Sequence, residues 1–406
     1  MTLGLYVHIP FCETKCPYCD FNTYAAIESL MPGYVDALVH EITEWGAWLE
    51  KPTLTSLFFG GGTPSYLPTR DIRRLMRAIH AAFDLPESAE ATLEANPGDC
   101  SRERLQAIHR SGINRLSIGV QSLDDNELRL LGRRHSVDEA VRAIEAARVA
   151  GFDNLSIDLM FGLPYQHVSS WEHTLDEAVA LAPEHVSAYA LTLEGGTPME
   201  ADVTSGALPT PDDDLAAEMY RMTDERLAAA GLAQYEISNW AKPGLASAHN
   251  LTYWRNQAWL GLGPGAHSYL VPCTGPFAGL PTHGVRFAGM KPPRAYIERV
   301  NNWHANGPLG AETLASAAAI DTIEQPDLAM ARAETMMMGL RLNDGVANAD
   351  FRARFGVDIS HAFPNAVADC LEDRLLAWVG NALRLTPEGR PLGNEAFARF
   401  VGERQA

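Results

Sequence analysis

The sequence has few basic residues and no long apolar run. Its 32 Lys and Arg residues are outnumbered by 51 Asp and Glu residues, so the formal net charge is -19. A chain of this charge repels phosphate backbones, which excludes nucleic acid as an expected main partner. No segment approaches the roughly 18 consecutive apolar residues of a membrane-spanning helix, and the first residues have no basic flank or cleavage pattern. We therefore expect a cytoplasmic protein without a membrane span.

Cysteine is also scarce, with six residues in a chain of 406. This number is too small for a disulfide framework in a chain of this length. Cys100, Cys273 and Cys370 are far apart in the sequence and are expected to be small buried hydrophobic residues. The other three cysteines form a cluster within eight residues, and this cluster requires a chemical explanation.

The hydrophobic fraction of 46% and the charged fraction of 20% are ordinary for globular proteins. Short β-rich runs alternate with amphipathic helical patterns in the first half of the chain, an order typical of parallel sheets with crossover helices. Ser136 is predicted to cap the helix that runs to residue 150. The α/β pattern predicts a partial or complete barrel, with strands at residues 5–9, 56–59, 91–94, 115–120, 155–159 and 186–191.

The pattern changes after residue 200. A helix at 212–230 precedes residues 234–238, which we predict to be the last strand of the barrel, and a stretch rich in Gly and Pro follows at 261–293. Helices at 331–342, 347–355 and 366–379 then precede a predicted hairpin at 383–389 and a final helix at 395–401. This order indicates a small, mainly helical, winged-helix-like domain. The predicted division is 1–240 for the core barrel, 241–293 for a connecting segment and 294–406 for the C-terminal domain.

The three clustered cysteines, Cys12, Cys16 and Cys19, follow the first predicted strand directly. Three kinds of site are compatible with them. Cys16 and Cys19 alone resemble a redox dithiol, whereas a structural zinc site needs a fourth ligand such as His8 and usually a second CxxC pair. The third kind is an iron–sulfur cluster held by three thiolates, with one iron free to bind a small molecule.

The spacing CxxxCxxC resembles the signature of the radical S-adenosylmethionine (SAM) superfamily. This resemblance implies a partial (β/α)6 TIM-like barrel in which the three cysteines hold a 4Fe-4S cluster. The free iron would then bind SAM, and an electron donor such as flavodoxin or ferredoxin would reduce the cluster. The cofactors carry the difficult chemistry, while the protein orients them and excludes water.

Glycines and polar residues follow the predicted strands at one end of the barrel. Read alone, the glycines at 60–62 are compatible with a tight turn as well as with a ligand cradle. Carboxylate and amide side chains at strand ends can hydrogen-bond ribose hydroxyls or an amine, and Arg133 can pair with a carboxylate. The residues that the resemblance assigns to SAM are Tyr6, Tyr18, Gly61, Gly62, Thr63, Glu94, Gln121, Arg133 and Asp158.

Within this superfamily, the chain is similar to the coproporphyrinogen III oxidase-like family. The similarity rests on LYVHIPFC at 5–12, HNLTYW at 249–254, GLGPGAHS at 261–268 and two short C-terminal motifs around 339–341 and 385–389. The oxidases of the family read CxxxCxxCxC and have an N-terminal extension. Here Phe21 occupies the last cysteine position, and the first ligand is already residue 12. Both departures favour the heme-chaperone members over a coproporphyrinogen oxidase, which stays the alternative.

The heme-chaperone assignment implies that the protein binds heme and passes it to acceptor hemoproteins such as respiratory cytochromes. His249 is the candidate heme ligand, since imidazole is a common axial ligand and Tyr253 and Trp254 can cover the face of a macrocycle. The alternative for His249 is a hydrogen-bonded histidine in a packed aromatic corner. No residue is assigned a catalytic role, and the net charge argues against a tRNA-modifying enzyme.

Overall fold

The computed structural model describes residues 2–317 and 319–402. The strands in these ranges are β1 (Thr2–Ile9), β2 (Thr53–Gly61), β3 (Glu90–Ala95), β4 (Arg115–Gln121), β5 (Leu155–Phe161), β6 (His185–Ala190), β7 (Ala233–Glu236), β8 (Asn239–Ala241), β9 (Trp259–Leu262), β10 (His267–Leu270), β11 (Val285–Gly289), β12 (Ile320–Glu324), β13 (Val346–Ala347), β14 (Leu376–Val379) and β15 (Ala382–Leu385).

The α-helices in the same ranges are α1 (Met31–Trp48), α2 (Thr69–Ala82), α3 (Arg102–His109), α4 (Asp125–Leu130), α5 (Val137–Ala150), α6 (Val168–Ala180), α7 (Pro198–Thr204), α8 (Asp213–Ala229), α9 (Ala248–Trp254), α10 (Pro293–Val300), α11 (Ala311–Ala315), α12 (Leu328–Gly339), α13 (Asn348–Phe355), α14 (Ile359–Ala362), α15 (Pro364–Glu372) and α16 (Gly393–Gly402). No helix of the described ranges is both long and apolar enough to cross a bilayer.

Strands β1 to β6 form the parallel half of a large open sheet, in sequence order and with helices between successive strands. Their apolar residues, such as Leu57, Leu93 and Ile157, are fully buried because helices cover the sheet. The prediction of a partial (β/α)6 barrel is therefore confirmed. The C-terminal ends of the six strands lie along one edge of this barrel, where the loops between strands and helices carry the chemistry of such folds.

The predicted start of α5 is also confirmed. The Ser136 hydroxyl accepts a hydrogen bond from the Glu139 N–H at 3.3 Å, and the Glu139 carboxylate accepts one from the Ser136 N–H at 2.8 Å. This reciprocal arrangement is a capping box, which satisfies two backbone donors at the helix N-terminus.

The prediction that residues 234–238 form the last strand of the barrel is wrong. That segment contains β7, an antiparallel strand at one edge of the sheet, beside β8. At the opposite end, beyond β1, the sheet continues through β9, β10, β11 and β12. β9 pairs in parallel with β1, with Tyr6 opposite Gly261. Strands β9 to β11 lie in or next to the stretch rich in Gly and Pro, which conceals the alternation on which strand prediction depends.

The C-terminal helices surround a second apolar core with the three-stranded sheet β13-β15-β14. Its fully buried members include Met336, Ile359, Phe363, Leu383 and Phe400. The predicted helix 366–379 is too long, since α15 ends at Glu372 and β14 occupies residues 376–379. The hairpin turn therefore lies between β14 and β15. The predicted division of the chain at residues 240 and 293 stays a prediction.

Candidate functional site

A cavity of about 490 Å³ opens at the C-terminal ends of the parallel strands. The loop after β1 forms one side of it, and the ends of β2 to β6 form the rest. The predicted site residues that line this cavity are Cys12, Cys16, Tyr18, Cys19, Gly61, Gly62, Thr63, Glu94, Gln121, Arg133 and Asp158. The structure thus brings together all the cluster and SAM candidates except Tyr6.

The cysteine loop is held by backbone hydrogen bonds rather than by helix or sheet. The Cys12 N–H donates to the Tyr24 carbonyl at 3.0 Å, and the Cys19 N–H donates to the Cys16 carbonyl at 3.2 Å. All three thiols are half-buried. Burial raises the pKa of the Cys12 and Cys19 thiols, so a metal that binds them must displace their protons.

This geometry bears on the alternatives for the cysteines. Each of the three is a free thiol, so the structure contains no disulfide between Cys16 and Cys19. A tetrahedral zinc site would place its thiolate sulfurs about 3.8 Å apart. Among the described residues, the one group of three ligand side chains whose donor atoms all lie within 4.8 Å of one another is elsewhere in the molecule. The three cysteine sulfurs therefore do not all lie within that distance of one another in the described structure.

Of the three isolated cysteines, Cys100 and Cys370 are buried as predicted, whereas Cys273 is exposed. The prediction was wrong for Cys273 because residues 273–275 form an exposed connection before the short turn at 275–279.

The glycines after β2 leave no room for side chains. Gly61 has φ +109°, and a Cβ atom there would lie 2.5 Å from the His8 ring. A Cβ atom on Gly62 would lie 2.7 Å from the Phe11 carbonyl oxygen and 3.1 Å from the Cys12 sulfur. The Thr63 hydroxyl lies 3.5 Å from the same sulfur. The absence of side chains thus lets the backbone of this turn pack directly on the cysteine loop.

Two buried carboxyl groups lie deeper in the cavity. Glu94 accepts a hydrogen bond from the Gly61 N–H at 3.2 Å, and Asp158 accepts one from the Ser117 hydroxyl at 3.0 Å. Burial, reinforced by the charge of Asp158, raises the pKa of Glu94 to about 8. Burial likewise raises the pKa of Asp158. Glu94 therefore carries a proton at neutral pH and can donate a hydrogen bond to a polar ligand.

Gln121 and Arg133 complete the predicted set. Gln121 ends β4 with φ +68°, beside an irregularity in the pairing of β4 with β5. A non-glycine residue in this conformation costs of order 1 kcal/mol, and such strain is concentrated at functional sites. Arg133 donates to the Gly119 carbonyl at 2.7 Å and lies 3.5 Å from the Cys16 sulfur, while its Nε is buried without a partner. A positive side chain with a free donor suits an anionic ligand group.

The two predicted tyrosines occupy different places. Tyr18 lines the cavity beside Arg133 and Cys16, and burial raises its pKa. The Tyr6 ring instead faces the barrel interior, where its hydroxyl donates to His8 Nδ1 at 3.0 Å. His8 has the proton on Nε2, because that nitrogen donates to the Asn22 carbonyl at 2.9 Å. Tyr6 therefore contacts the cysteine loop only indirectly, through His8 and Asn22.

A second cavity of about 230 Å³ lies inside the barrel below the first. Glu94, Ser117, Asp158 and Tyr189 line both cavities and form a wall between them. Its remaining lining is mostly polar or aromatic, with Tyr6, Phe58, Arg115, His185, Ser187, His249, Asn250 and Tyr253.

His249 lies in this second cavity and not with the cluster candidates. It belongs to α9, which closes the barrel at the N-terminal ends of the strands, and it is 1% exposed. Its Nδ1 and Nε2 each form a hydrogen bond, to the Ser56 hydroxyl at 2.9 Å and the Tyr253 hydroxyl at 2.8 Å. Burial lowers its pKa to about 3. In the described structure, His249 therefore matches the alternative to heme ligation, which is a hydrogen-bonded histidine in a packed aromatic corner.

The fold of α9 explains this position. The Ala248 and His249 N–H groups donate to the Glu90 carboxylate at 3.0 Å and 3.2 Å. A carboxylate at a helix N-terminus is stabilising because it satisfies backbone donors and opposes the helix dipole. The Glu90 side chain at the start of β3 thereby fixes α9 under the barrel, with the His249 ring turned inward.

Several cavity residues were not predicted. Ser117, Tyr189, Asn96, Arg134 and Glu194 also line the first cavity. Arg134 forms ion pairs with Glu13 and, at 2.6 Å, with Asp99, so it ties the cysteine loop to the end of β3. The available signal was the position of Tyr189 in the C-terminal half of a predicted strand, where inward-facing residues reach such a site.

Two family models match separate parts of the chain. The model of the radical SAM superfamily matches residues 6–178, and that of the HemN C-terminal domain matches residues 329–392. The chain is 37% identical to the heme chaperone HemW of Bacillus subtilis over 98% of its own length and 99% of the relative. It is 36% identical to the heme chaperone HemW of Mycobacterium tuberculosis, over 98% and 95%.

Among solved structures, the chain is similar to coproporphyrinogen III oxidase (HemN) from Escherichia coli. The TM-score is 0.81 with 22% identity, over 98% of this chain and 90% of that chain. At this identity, the similarity shows that the two proteins share a fold.

Proposed function

Because this chain belongs to the HemW family of the radical SAM superfamily, we propose that it is a heme chaperone, which binds heme and transfers it to acceptor hemoproteins. The observation that carries the proposal is the relatedness to HemW proteins over almost the whole chain, including both the barrel and the C-terminal domain. Respiratory cytochromes are the acceptors to test first. An electron donor such as flavodoxin or ferredoxin would serve the cluster.

The radical SAM domain implies a 4Fe-4S cluster and SAM. In this proposal Cys12, Cys16 and Cys19 hold the cluster, while the glycine turn and the polar strand ends hold SAM. The cavity fits such an occupant in volume, in its free thiols, in its side-chain-free turn and in the unpartnered Nε of Arg133. When bound, the two cofactors together supply one-electron chemistry.

The side chains of the cavity have distinct proposed roles. The protonated Glu94 carboxyl, held by the Gly61 N–H, offers a polar contact on one side, and the Asp158 carboxyl offers acceptors on the other. Arg133 binds the carboxylate of SAM through its free donor and holds the Cys16 sulfur. Tyr18 covers the cysteine loop and excludes water from it.

An aromatic surface at this cavity supports binding of a planar apolar ligand. Phe21 and Tyr189 both line the cavity, and their side chains are 64% and 43% exposed. Both rings are thus accessible from the cavity, and aromatic ring faces stack well on a porphyrin. Phe21 stands where the oxidases of the family have a cysteine, which favours binding of the macrocycle over its decarboxylation.

His249 is the heme ligand to test. In the described structure its side chain is buried inside the barrel. For one of its ring nitrogens to bind iron, the hydrogen bond to Ser56 or to Tyr253 must break and α9 must move. The second cavity, at about 230 Å³, is smaller than the pockets that take drug-sized ligands, which start near roughly 300 Å³.

The proposed function is tested by anaerobic reconstitution of iron and sulfide followed by titration with heme. We expect uptake of one heme per chain, transfer of that heme to an apo-cytochrome, and no conversion of coproporphyrinogen III. Formation of a decarboxylated porphyrinogen would contradict the chaperone function and support the oxidase alternative.

The ligand assignment is tested separately with His249→Ala and with Tyr253→Phe as a matched control that keeps the imidazole. Loss of the heme absorption band in His249→Ala alone supports ligation by His249. Equal heme uptake in both variants and the parent protein would remove His249 as the ligand while leaving the chaperone function intact.

A further inference from the structure

A group of three metal-ligating side chains lies away from the cofactor cavity, where α1 meets the segment after α10. His40 and Glu44 are four residues apart on α1 and therefore share one face of the helix. His304 comes from the segment that follows α10. One donor atom from each of the three side chains lies within 4.8 Å of the others. None of the three lines the cavity that contains the cysteines.

Aromatic packing holds this arrangement in place. The Trp303 ring lies against Trp45 and Trp48 of α1, with ring centroids 5.8 Å and 6.1 Å apart. The Trp48 Nε1–H also donates to the Gly307 carbonyl at 2.9 Å. The segment from 303 to 307 is thus fixed on α1 before any ligand binds, so the side chain of His304 needs little reorganisation.

The protonation of His40 suits a metal ligand. Its Nε2 lies 2.6 Å from the Trp303 carbonyl oxygen, and because a carbonyl only accepts, Nε2 carries the proton. Nδ1 then keeps its lone pair. Histidines that bind metals commonly donate their second N–H to a backbone carbonyl in this way, which fixes the ring and its tautomer.

The carboxylate is oriented by the same segment. One Glu44 oxygen accepts the Ala305 N–H at 2.8 Å, and the other lies 3.3 Å from His304 Nδ1. The His40 and His304 rings are 5.2 Å apart and nearly perpendicular. Glu44 is mostly buried and His304 is mostly exposed. The group is therefore held in place on its buried side and open to solvent on the other, from which an ion can enter.

The geometry points to a divalent-cation site formed by His40, Glu44 and His304, which takes a borderline ion such as Zn²⁺. Two imidazole nitrogens and one carboxylate oxygen are a ligand set that Zn²⁺ accepts, with water in the remaining position. The ion replaces the hydrogen bond between His304 and Glu44 with two coordinate bonds. It thereby ties the connection between α10 and α11 to α1.

The test uses the full-length protein with its iron–sulfur cluster reconstituted, titrated anaerobically with Co²⁺ as a visible probe of a Zn²⁺ site. We expect one equivalent of Co²⁺ with d–d bands and no thiolate charge-transfer band, displaced by added Zn²⁺. His304→Ala and Glu44→Gln are each expected to weaken binding at least ~10-fold. Hydrogen exchange of residues 301–310 is expected to slow when Zn²⁺ is bound.

His361→Ala is the matched control, because His361 is an exposed histidine on another helix. It should bind Co²⁺ as the parent protein does. Iron content and thermal unfolding show whether each variant is folded. Equal Co²⁺ binding in the parent protein and in a folded His304→Ala variant would overturn the site, as would binding seen only at millimolar concentration or only with a thiolate band.

Discussion

Glu94 and Asp158 are two buried carboxyl groups in the wall between the cavities. Their residue types and strand-end positions could be recognised from the sequence, and so could the cysteines and glycines. The inward direction of Tyr6 and His249 could not, because it depends on side-chain contacts that form only in the folded barrel. Tyr6 bonds to His8, and His249 is turned inward by Glu90 and Ser56. Motif spacing contains no information about these partners.

Replacement of Cys16 by Ala tests the cluster assignment at a single residue. We expect Cys16→Ala to lose most of its iron and the four-iron absorption spectrum, while thermal unfolding changes little because the side chain lies in a loop and not in a core. Cys273→Ala is the control, since Cys273 is an exposed thiol outside the cavity. A normal four-iron spectrum in Cys16→Ala would contradict the assignment.

The raised pKa of Glu94 predicts a pH-dependent effect of Glu94→Gln. The folded protein holds the Glu94 proton up to a pH of about 8, whereas the unfolded chain releases it near its ordinary value. The stability that wild type gains from this group is complete below the unfolded pKa and is lost as pH rises towards 8. Glu94→Gln should therefore be nearly neutral at pH 5 and stabilising relative to wild type, by up to roughly 4 kcal/mol, at pH 9.

Denaturant unfolding of cluster-free wild type and Glu94→Gln at both pH values measures this difference. The circular dichroism spectra of the two proteins at pH 5 serve as the control for a common fold. A difference in unfolding free energy that is the same at both pH values, or that favours wild type at pH 9, would show that Glu94 is not protonated at neutral pH.

Strands β1 to β6 were predicted within a few residues of their observed bounds, whereas β9 to β12 were missed. The first six alternate along the chain with amphipathic helical patterns, and this regular β/α order is easily recognised. β9 and β11 contain glycines at 261 and 289 that pack closely on neighbouring backbone. At such positions, the glycine is required by tertiary contact and gives no strand signal.

The turn after β2 predicts the effect of adding one methyl group. In Gly62→Ala, the new Cβ atom would meet the carbonyl oxygens of Phe11 and Ile9 at 2.7 Å and 2.8 Å. Backbone must shift to accept it, so we expect a loss of about 1–3 kcal/mol in stability and impaired cluster and SAM binding. Iron analysis and equilibrium dialysis with SAM measure this.

Gly195→Ala is the control for this change, because a Cβ atom at Gly195 would have nothing within 4 Å. It should bind both cofactors normally. Unaltered SAM binding by Gly62→Ala would show that the turn accepts a Cβ atom without moving, which would contradict the close contacts at Gly62.

The C-terminal domain is joined to the barrel mainly by polar contacts near β7 and α9. The Arg341 guanidinium lies 4.4 Å from the Trp254 ring centre and 4.0 Å from Glu236, a fully buried carboxylate. The Asn343 N–H donates to the Tyr235 carbonyl at 3.0 Å. The sequence indicated a second domain from its helix and hairpin order, but not this interface, since its partners are about 90 to 110 residues apart.

Arg341→Ala is expected to weaken the contact between the barrel and the C-terminal domain. It leaves Glu236 buried without its cationic neighbour and removes the contact with Trp254, at a cost of about 1–3 kcal/mol. Hydrogen exchange should rise at residues 233–236 and 340–345, with iron content unchanged. Arg102→Ala, at an exposed arginine on α3, is the control. Exchange rates equal to wild type in Arg341→Ala would show that the interface does not depend on this side chain.

The wall shared by the two cavities makes their occupancies thermodynamically linked. Glu94, Ser117, Asp158 and Tyr189 present one side to the cofactor cavity and the other to the space above α9. If a ligand in the cofactor cavity alters the charge of either carboxyl group, it changes the affinity of the second cavity for its own ligand by some factor. By reciprocity, any ligand in the second cavity then changes the affinity for the cofactors by the same factor.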